Sequence, residues 1–130
     1  MKKILIISSN YYPQISNKLE TGAKKKLSNY NVKLIRVPGV FEIPVIIAKN
    51  IKKYDGFVAL GCVVKGETSH FDLITKSVTN GIMQLSILNK KPIGNGILSC
   101  FNMNQVNSRT DKGIEAAKAV IEVLKNVAIK

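Results

Sequence analysis

The segment Lys65–His70 (KGETSH) combines residue types that can bind an anion and move a proton. Gly66 lets a ligand approach the backbone closely, and N–H groups at the start of a following helix attract anions. His70 is the only histidine in the chain, and imidazole gives and takes protons near neutral pH. An ordinary helix cap by Thr68 or Ser69, with a structural histidine, is the alternative interpretation of the same residues.

Three further residues are candidates for contacts to a small molecule. Glu42, in the proline-bracketed segment Val37–Pro44, could accept hydrogen bonds from a polyol or pair with its own helix N-terminus. Tyr11 follows the first apolar run and could stack on a planar heterocycle or pack against the core. Arg109 is one of only two arginines among 20 basic residues. Its guanidinium can bind phosphate bidentately, which lysine cannot do; the other arginine, Arg36, is interpreted as a structural ion-pair partner.

Alternating strands and helices must position these residues. Apolar runs predict four strands, at Lys3–Ser8, Val32–Val37, Gly56–Val64 and Ile93–Ser99. The run at Val32 alternates, whereas the other three are continuously apolar, which is typical of strands covered on both faces. Helical spacing predicts four helices, at Pro13–Ser28, Phe41–Lys53, Ser69–Leu88 and Asp111–Val127, with Asp111 as an N-cap. This order predicts an α/β fold, with an open parallel sheet between two helical layers.

The candidate residues follow the predicted strands. Ligands of open parallel sheets bind beyond the carboxyl ends of the strands. Those ends are Ser8–Tyr12, Pro38–Glu42, Val64–His70 and Ser99–Asn104. We therefore expect the binding site at this edge of the sheet.

Length and charge narrow the class of protein. A chain of 130 residues predicts one domain, residues 1–130. The net charge of +12 leaves a nucleic-acid-binding domain as an alternative, but the lysines are spread along the chain and the aromatic stacking motifs of RNA-binding sheets are missing. No apolar run approaches the roughly 18 residues of a membrane span. We expect a cytoplasmic protein that binds neither nucleic acid nor membrane.

The two cysteines, Cys62 and Cys100, lie in or beside apolar runs. Buried thiols in a reducing cytoplasm are the favoured interpretation, and a disulfide between them remains open at this stage. Their sequence context contains no Cys-x-x-Cys zinc or redox motif.

Five segments together resemble the lumazine synthase family: VPGVFEIP (37–44), ALGCVVKGETSHFD (59–72), GILS (96–99), QVNSR (105–109) and KGIEAA (112–117). The resemblance implies a three-layer αβα sandwich, flavodoxin-like, with a central four-stranded parallel sheet. It implies a transferase of riboflavin biosynthesis that uses no metal or organic cofactor. The implied reaction condenses 5-amino-6-(D-ribitylamino)uracil with 3,4-dihydroxy-2-butanone 4-phosphate and releases 6,7-dimethyl-8-ribityllumazine, phosphate and water.

The resemblance also implies a role for each site residue. Tyr11 stacks on the pyrimidine, and Glu42 accepts hydrogen bonds from the ribityl hydroxyls. The other ring contacts come from Val40, Phe41, Cys62, Val63 and Val64.

The phosphate half of the implied site lies on other residues. Glu67 and Thr68 match the phosphate-binding turn, and His70 matches the residue that transfers protons. Arg109 matches an arginine that binds phosphate from the adjacent subunit, with Lys112 close to it.

The implied assembly is a homopentamer with active sites between neighbouring subunits. The chain begins directly at its first strand, and Arg109–Gly113 is shorter than the corresponding turn of shell-forming members. We therefore expect a free pentamer, or a decamer of two, rather than a shell. Asn95 replaces a phenylalanine that many members place across the interface, and Tyr12 replaces a small polar residue, so ring packing should differ there. A non-catalytic flavin or lumazine binder on the same scaffold is the remaining alternative.

Overall fold

Four parallel strands form a single sheet in the order β2-β1-β3-β4. The computed structural model of the chain describes residues 1–65 and 71–126. The strands are β1 Lys3–Ser9, β2 Asn31–Val37, β3 Gly56–Val64 and β4 Ile93–Cys100. The helices are α1 Pro13–Lys26, α2 Ile43–Lys49, α3 Phe71–Asn89, α4 Met103–Asn107 and α5 Lys112–Lys125. All four predicted strands are present, each within one residue of its expected bounds.

Two apolar layers cover the sheet. On one face, α1 and α5 pack on Ile4, Ile6, Val58 and Leu60, which alternate along β1 and β3. On the other face, α2 and α3 pack on the intervening residues of the same strands. This arrangement confirms the predicted α/β fold with helices on both faces. In the described part of the chain, no helix combines the length and the apolar character that crossing a bilayer requires.

The edge strand β4 differs from its prediction. Its apolar run indicated a strand covered on both faces, but only alternate residues are buried and Asn95 is exposed. The strands β1 and β3 are buried on both faces as expected. The reason is the strand order, because β4 is last in the sheet and pairs only with β3.

The helices also differ from their predictions, and α1 ends at Lys26 rather than Ser28. A 3₁₀ turn, Val40–Glu42, precedes α2, which ends at Lys49 rather than Lys53. Asp111 occupies the N-cap position of α5 without a side-chain cap, and its carbonyl instead accepts the N–H groups of Ile114 and Glu115. The helix α4 was not predicted, since five residues are too few to produce a periodic pattern. The predicted start of α3 at Ser69 lies outside the described residues.

An ion pair between a buried carboxylate and a half-exposed guanidinium joins α1 to β2. Glu20 is 3% exposed, and its Oε1 accepts a hydrogen bond from Arg36 Nη2 at 2.7 Å. Burial raises the pKa of this carboxyl, but the hydrogen bond and charge of Arg36, together with a hydrogen bond from Ser8 and the charge of Lys24, outweigh burial and leave the pKa below its usual value. The pair therefore stabilises the fold above the unfolded pKa of the carboxyl, and this contribution declines as the pH falls through the lower folded pKa. The predicted structural role of Arg36 is confirmed.

Gly113 lets α5 approach α1 at backbone distance. A Cβ at Gly113 would lie 2.3 Å from the carbonyl oxygen of Leu19. Gly94 makes a similar contact with the carbonyl oxygen of Ala116, at 2.2 Å. These distances are far shorter than van der Waals contact, so the packing of α5 against α1 and β4 requires glycine at both positions.

We expect Gly113→Ala to destabilise the fold by about 1–3 kcal/mol, because the methyl group forces two helix backbones apart. The matched control is Gly81→Ala within α3, where the new Cβ would make ordinary contact with Pro44 at 3.4 Å and alanine favours the helix. Urea unfolding at one protein concentration measures both changes. Equal stability of the two variants would contradict this account of the α1–α5 packing.

Candidate active site

A cavity of about 240 Å³ opens at the carboxyl ends of β1 and β3. The strand order explains its position. The chain leads from β1 to β2, which lies next to β1 on one side, whereas β3 lies next to β1 on the other side, so a crevice opens between the two connections. Three chain segments and one helix wall it: Ser9, Tyr11 and Tyr12; Gly39, Val40 and Phe41; Cys62, Val63 and Val64; and Ile74 of α3. Six residues assigned to ring contacts by the sequence therefore line one cavity.

Two aromatic rings stand at the open side of this cavity. Tyr11 is 62% exposed and Phe41 is 63% exposed, although both line the cavity wall. Tyr11 is held edge-on against Tyr12, with ring centroids 4.8 Å apart and an interplanar angle of 79°. A planar ligand could cover the exposed aromatic surface, which favours the stacking interpretation of Tyr11 over packing in the core.

The floor of the cavity is apolar and close-packed. Val40, Val63 and Val64 are buried there beside Cys62. Gly61 makes room for this arrangement, because a Cβ at that position would lie 2.7 Å from Val40 Cγ1. Such a floor suits the face of a heterocycle.

Cys62 contributes a neutral thiol to the floor. Burial, with a smaller effect from Cys100, raises the pKa of Cys62 to about 12. Both cysteines are free thiols. They are not opposite each other on the paired strands, because Cys62 pairs with Leu98 and Cys100 lies two residues further along β4. The structure therefore excludes the disulfide that the sequence left open, and Cys62 acts as an apolar wall rather than a nucleophile.

Glu42 fixes the shape of the cavity wall. Its Oε1 accepts a hydrogen bond from the backbone N–H of Gly39 at 3.0 Å, which closes the turn that carries Val40 and Phe41. The carboxylate is thus engaged at its own helical turn, as one of the two sequence interpretations proposed. Glu42 is not among the residues that line the cavity, and Oε2 is the oxygen left to accept a further hydrogen bond.

Arg109 and Lys112 lie in a second groove, of about 450 Å³, along the edge of β4. This groove shares no lining residue with the first cavity. Arg109 Nη1 lies 3.8 Å from Cys100 Sγ, and its backbone N–H donates to the Val106 carbonyl. The exposed guanidinium is therefore held beside the carboxyl end of β4.

Asn95 also lies on the β4 edge rather than in the first cavity. It is exposed, and its Oδ1 accepts a hydrogen bond from the N–H of Ile97 at 3.1 Å. Ile97 lines the groove that contains Arg109 and Lys112. Asn95, Arg109 and Lys112, which do not line the first cavity, thus share one edge of the sheet.

Three predicted residues, Glu67, Thr68 and His70, lie outside the described residues. The residues that precede this segment, Val64 and Lys65, make contacts at the carboxyl ends of the strands. Val64 lines the cavity, and the Nζ of Lys65 lies 5.3 Å from the ring centroid of Phe101. This cation–π contact joins the ends of β3 and β4.

Sequence reasoning missed three residues that line the cavity. Ser9 ends β1, Gly39 precedes the 3₁₀ turn, and Ile74 belongs to α3. Ser9 carried one usable signal, because it is a polar residue at the carboxyl end of a buried strand. Ile74 carried none, since an apolar residue on a helix is equally expected in the core.

We expect Cys62 to resist alkylation in the folded protein, because a thiol with a pKa of about 12 is almost entirely protonated at pH 8. In a Cys100→Ala background, iodoacetamide should modify Cys62 at least about a hundredfold more slowly than it modifies glutathione. Mass spectrometry of the intact protein measures the modified fraction, with urea-unfolded protein as the positive control. Complete labelling of the folded protein within minutes at pH 8 would contradict the buried, neutral thiol.

Comparison with known proteins identifies the family. Residues 1–128 match the family model described as 6,7-dimethyl-8-ribityllumazine synthase. A protein of that name from Novosphingobium aromaticivorans is 40% identical over 133 residues, covering 95% of this chain and 95% of that protein. Its counterpart from Zymomonas mobilis is 40% identical over 130 residues, covering 93% of each chain. The Leuconostoc mesenteroides protein is 36% identical over 135 residues, covering 95% of this chain and 86% of its own. On this match over nearly the whole chain and on these identities, the chain belongs to the 6,7-dimethyl-8-ribityllumazine synthase family.

Proposed function

We infer that this chain catalyses the reaction of its family, a step of riboflavin biosynthesis. It condenses 5-amino-6-(D-ribitylamino)uracil with 3,4-dihydroxy-2-butanone 4-phosphate to give the lumazine, phosphate and water. The observation that carries this inference is the family match over residues 1–128. The cavity supports it, because its apolar floor and exposed aromatic wall suit a planar pyrimidine.

The cavity is the proposed site for the pyrimidine. Tyr11 stacks on the ring, Phe41 contacts it from the adjoining wall, and Val40 contacts it from the floor. The β3 residues Cys62, Val63 and Val64 contact its other face. Glu42 uses Oε2 to accept hydrogen bonds from the ribityl hydroxyls while Oε1 keeps the turn closed.

The proposed reaction needs charge and proton transfer beside this ring. The pyrimidine amine condenses with the ketone of the second substrate and expels water, phosphate then leaves, and ring closure expels a second water. His70 transfers protons in these steps. Glu67 and Thr68 form the phosphate-binding turn, and Arg109 and Lys112 stabilise the negative charge of the departing phosphate. Holding two substrates side by side contributes much of the rate enhancement.

The proposed active site is shared between subunits. Asn95, Arg109 and Lys112 lie on the β4 edge, in or beside a groove that is separate from the cavity of the same chain. They therefore serve the cavity of a neighbour in a homopentamer, or in a decamer of two pentamers. Residues 1–130 act as one domain of this assembly. We place the protein in the cytoplasm, because free thiols are stable in a reducing compartment.

Purified protein given both substrates should form the lumazine chromophore faster than the uncatalysed background, measured by absorbance. Arg109→Lys should raise the KM for the butanone phosphate about tenfold or more while changing the KM for the pyrimidine little, because lysine cannot bind phosphate bidentately. A wild-type rate equal to the background would overturn the proposed function. Equal effects on both KM values would overturn only the phosphate role of Arg109.

Mixed assemblies test whether the site is shared. His70→Ala and Arg109→Ala should each be nearly inactive alone. Pentamers that contain both variants at random should recover about a quarter of wild-type activity, because one interface in four then joins two intact halves.

The matched control mixes His70→Ala with Tyr11→Ala, which damage the same half of the site and should recover nothing. Native mass spectrometry verifies that the subunits have mixed and counts them. If the first mixture stays as inactive as its components, the site lies within one chain and the shared arrangement is wrong.

A further inference from the structure

The cavity contains a buried hydroxyl without a hydrogen-bond partner. Ser9 lines the cavity and is only 1% exposed. Its Oγ has no partner within the described ranges 1–65 and 71–126. The Ser9 carbonyl is satisfied, since it accepts a hydrogen bond from Ser16 Oγ. The side-chain oxygen has thus left water without gaining a hydrogen bond in the protein.

The position of Ser9 places this hydroxyl at the floor of the cavity. It is the last residue of β1, and side-chain alternation puts it on the α2–α3 face with Leu5 and Ile7. A Cβ at Gly61 would lie 2.9 Å from Ser9 Cβ and 3.6 Å from Ser9 Oγ. Glycine on β3 therefore leaves space beside the hydroxyl at the point where β1 ends.

The other buried side chains of the floor provide no strong hydrogen-bonding group for the edge of a heterocycle. Val40, Val63 and Val64 can contact the face of a ring but cannot bond to its edge. Cys62 offers only a weakly polar thiol. A pyrimidinedione has carbonyl oxygens and ring N–H groups around its edge, and burying these without partners weakens binding. Buried polar groups are satisfied in nearly all stable structures, so an unsatisfied hydroxyl on a residue that lines a cavity calls for an explanation, and a bound ligand provides one.

We propose that the Ser9 hydroxyl binds the pyrimidine substrate by donating a hydrogen bond to a ring carbonyl oxygen. This assignment rests on the proposed function and adds a specificity-determining residue to it. The hydroxyl is desolvated before the ligand arrives, so formation of the hydrogen bond removes water only from the ring carbonyl. The contact discriminates a pyrimidinedione from a ring of equal shape that lacks the carbonyl group.

The experiment compares Ser9→Ala with the matched control Ser8→Ala. Ser8 is equally buried, but it faces the α1–α5 layer, where its hydroxyl interacts with the Glu20 carboxylate and helps to lower the pKa of that group, and it does not line the cavity. The probe is 5-nitro-6-ribitylaminouracil, which keeps the ring carbonyls and lacks the reacting amine. Calorimetry measures its Kd, and thermal unfolding without ligand measures stability.

Ser9→Ala should raise the Kd of the probe about three- to tenfold, as expected for loss of one neutral hydrogen bond. The KM for the butanone phosphate should stay unchanged, and the unliganded variant should unfold at the same or a higher temperature, because an unsatisfied polar group has been removed. Ser8→Ala should leave the Kd unchanged. Weaker binding without weaker folding is a result that a purely structural serine cannot produce.

Three outcomes would overturn the assignment of Ser9: a Kd within twofold of wild type, equal weakening by Ser8→Ala, or a lower unfolding temperature of unliganded Ser9→Ala. Failure of the wild-type protein to bind the probe and to form the lumazine is a different result. It would overturn the proposed function itself, and the role of Ser9 with it.

Discussion

The parallel pairing of β1 with β3 is the constraint on which the candidate site depends. It brings Ser9 and Tyr11, from the end of β1, beside Cys62, Val63 and Val64 of β3. Because β2 lies on the opposite side of β1, its connection to α2 crosses above the same strand ends and supplies the third wall. The pairing also requires Gly61, since any side chain there would collide with Val40 and Ser9. One arrangement of strands thus creates the cavity, its walls and its floor.

Polar groups within the apolar layers are used differently on the two faces of the sheet. On the α1 side, Glu20 is buried but bound by Arg36, so its charge is compensated within the fold. On the α2–α3 side, the Ser9 hydroxyl is buried and has no hydrogen-bond partner among the described residues. A compensated group contributes to stability, whereas an uncompensated one costs stability unless a ligand completes it. This difference separates a structural polar residue from a candidate binding residue in the same strand layer.

The edge strand β4 differs from the interior strands in the residues that lie along it. Its outer side pairs with no strand in the described chain, and Asn95, Arg109 and Lys112 lie along it. Hydrogen bonds within residues 101–112 hold this segment in place. Gln105 Oε1 accepts a hydrogen bond from the N–H of Phe101, and Asn102 Oδ1 accepts one from the N–H of Gln105. The Lys65–Phe101 contact links it to the end of β3. Each chain therefore carries a cavity and, separately, an edge that presents Arg109 and Lys112, which is the arrangement that a shared site requires.

The sequence by itself determined the strands, the α/β class and the segments that reach the carboxyl edge of the sheet. These features depend on local periodicity and on short motifs, which a single chain displays directly. The family resemblance also predicted the ring contacts, and six of those residues line one cavity. Only the tertiary structure decided that β4 is an edge strand, that Glu42 closes its own turn, and that Cys62 is a neutral wall. Strand order, burial and hydrogen-bond geometry decide such features, because they arise from contacts between residues far apart in the chain. Ser9 illustrates the difference, since its residue type is visible in the sequence but its missing hydrogen bond exists only once β1, β3 and the 3₁₀ turn have packed around it.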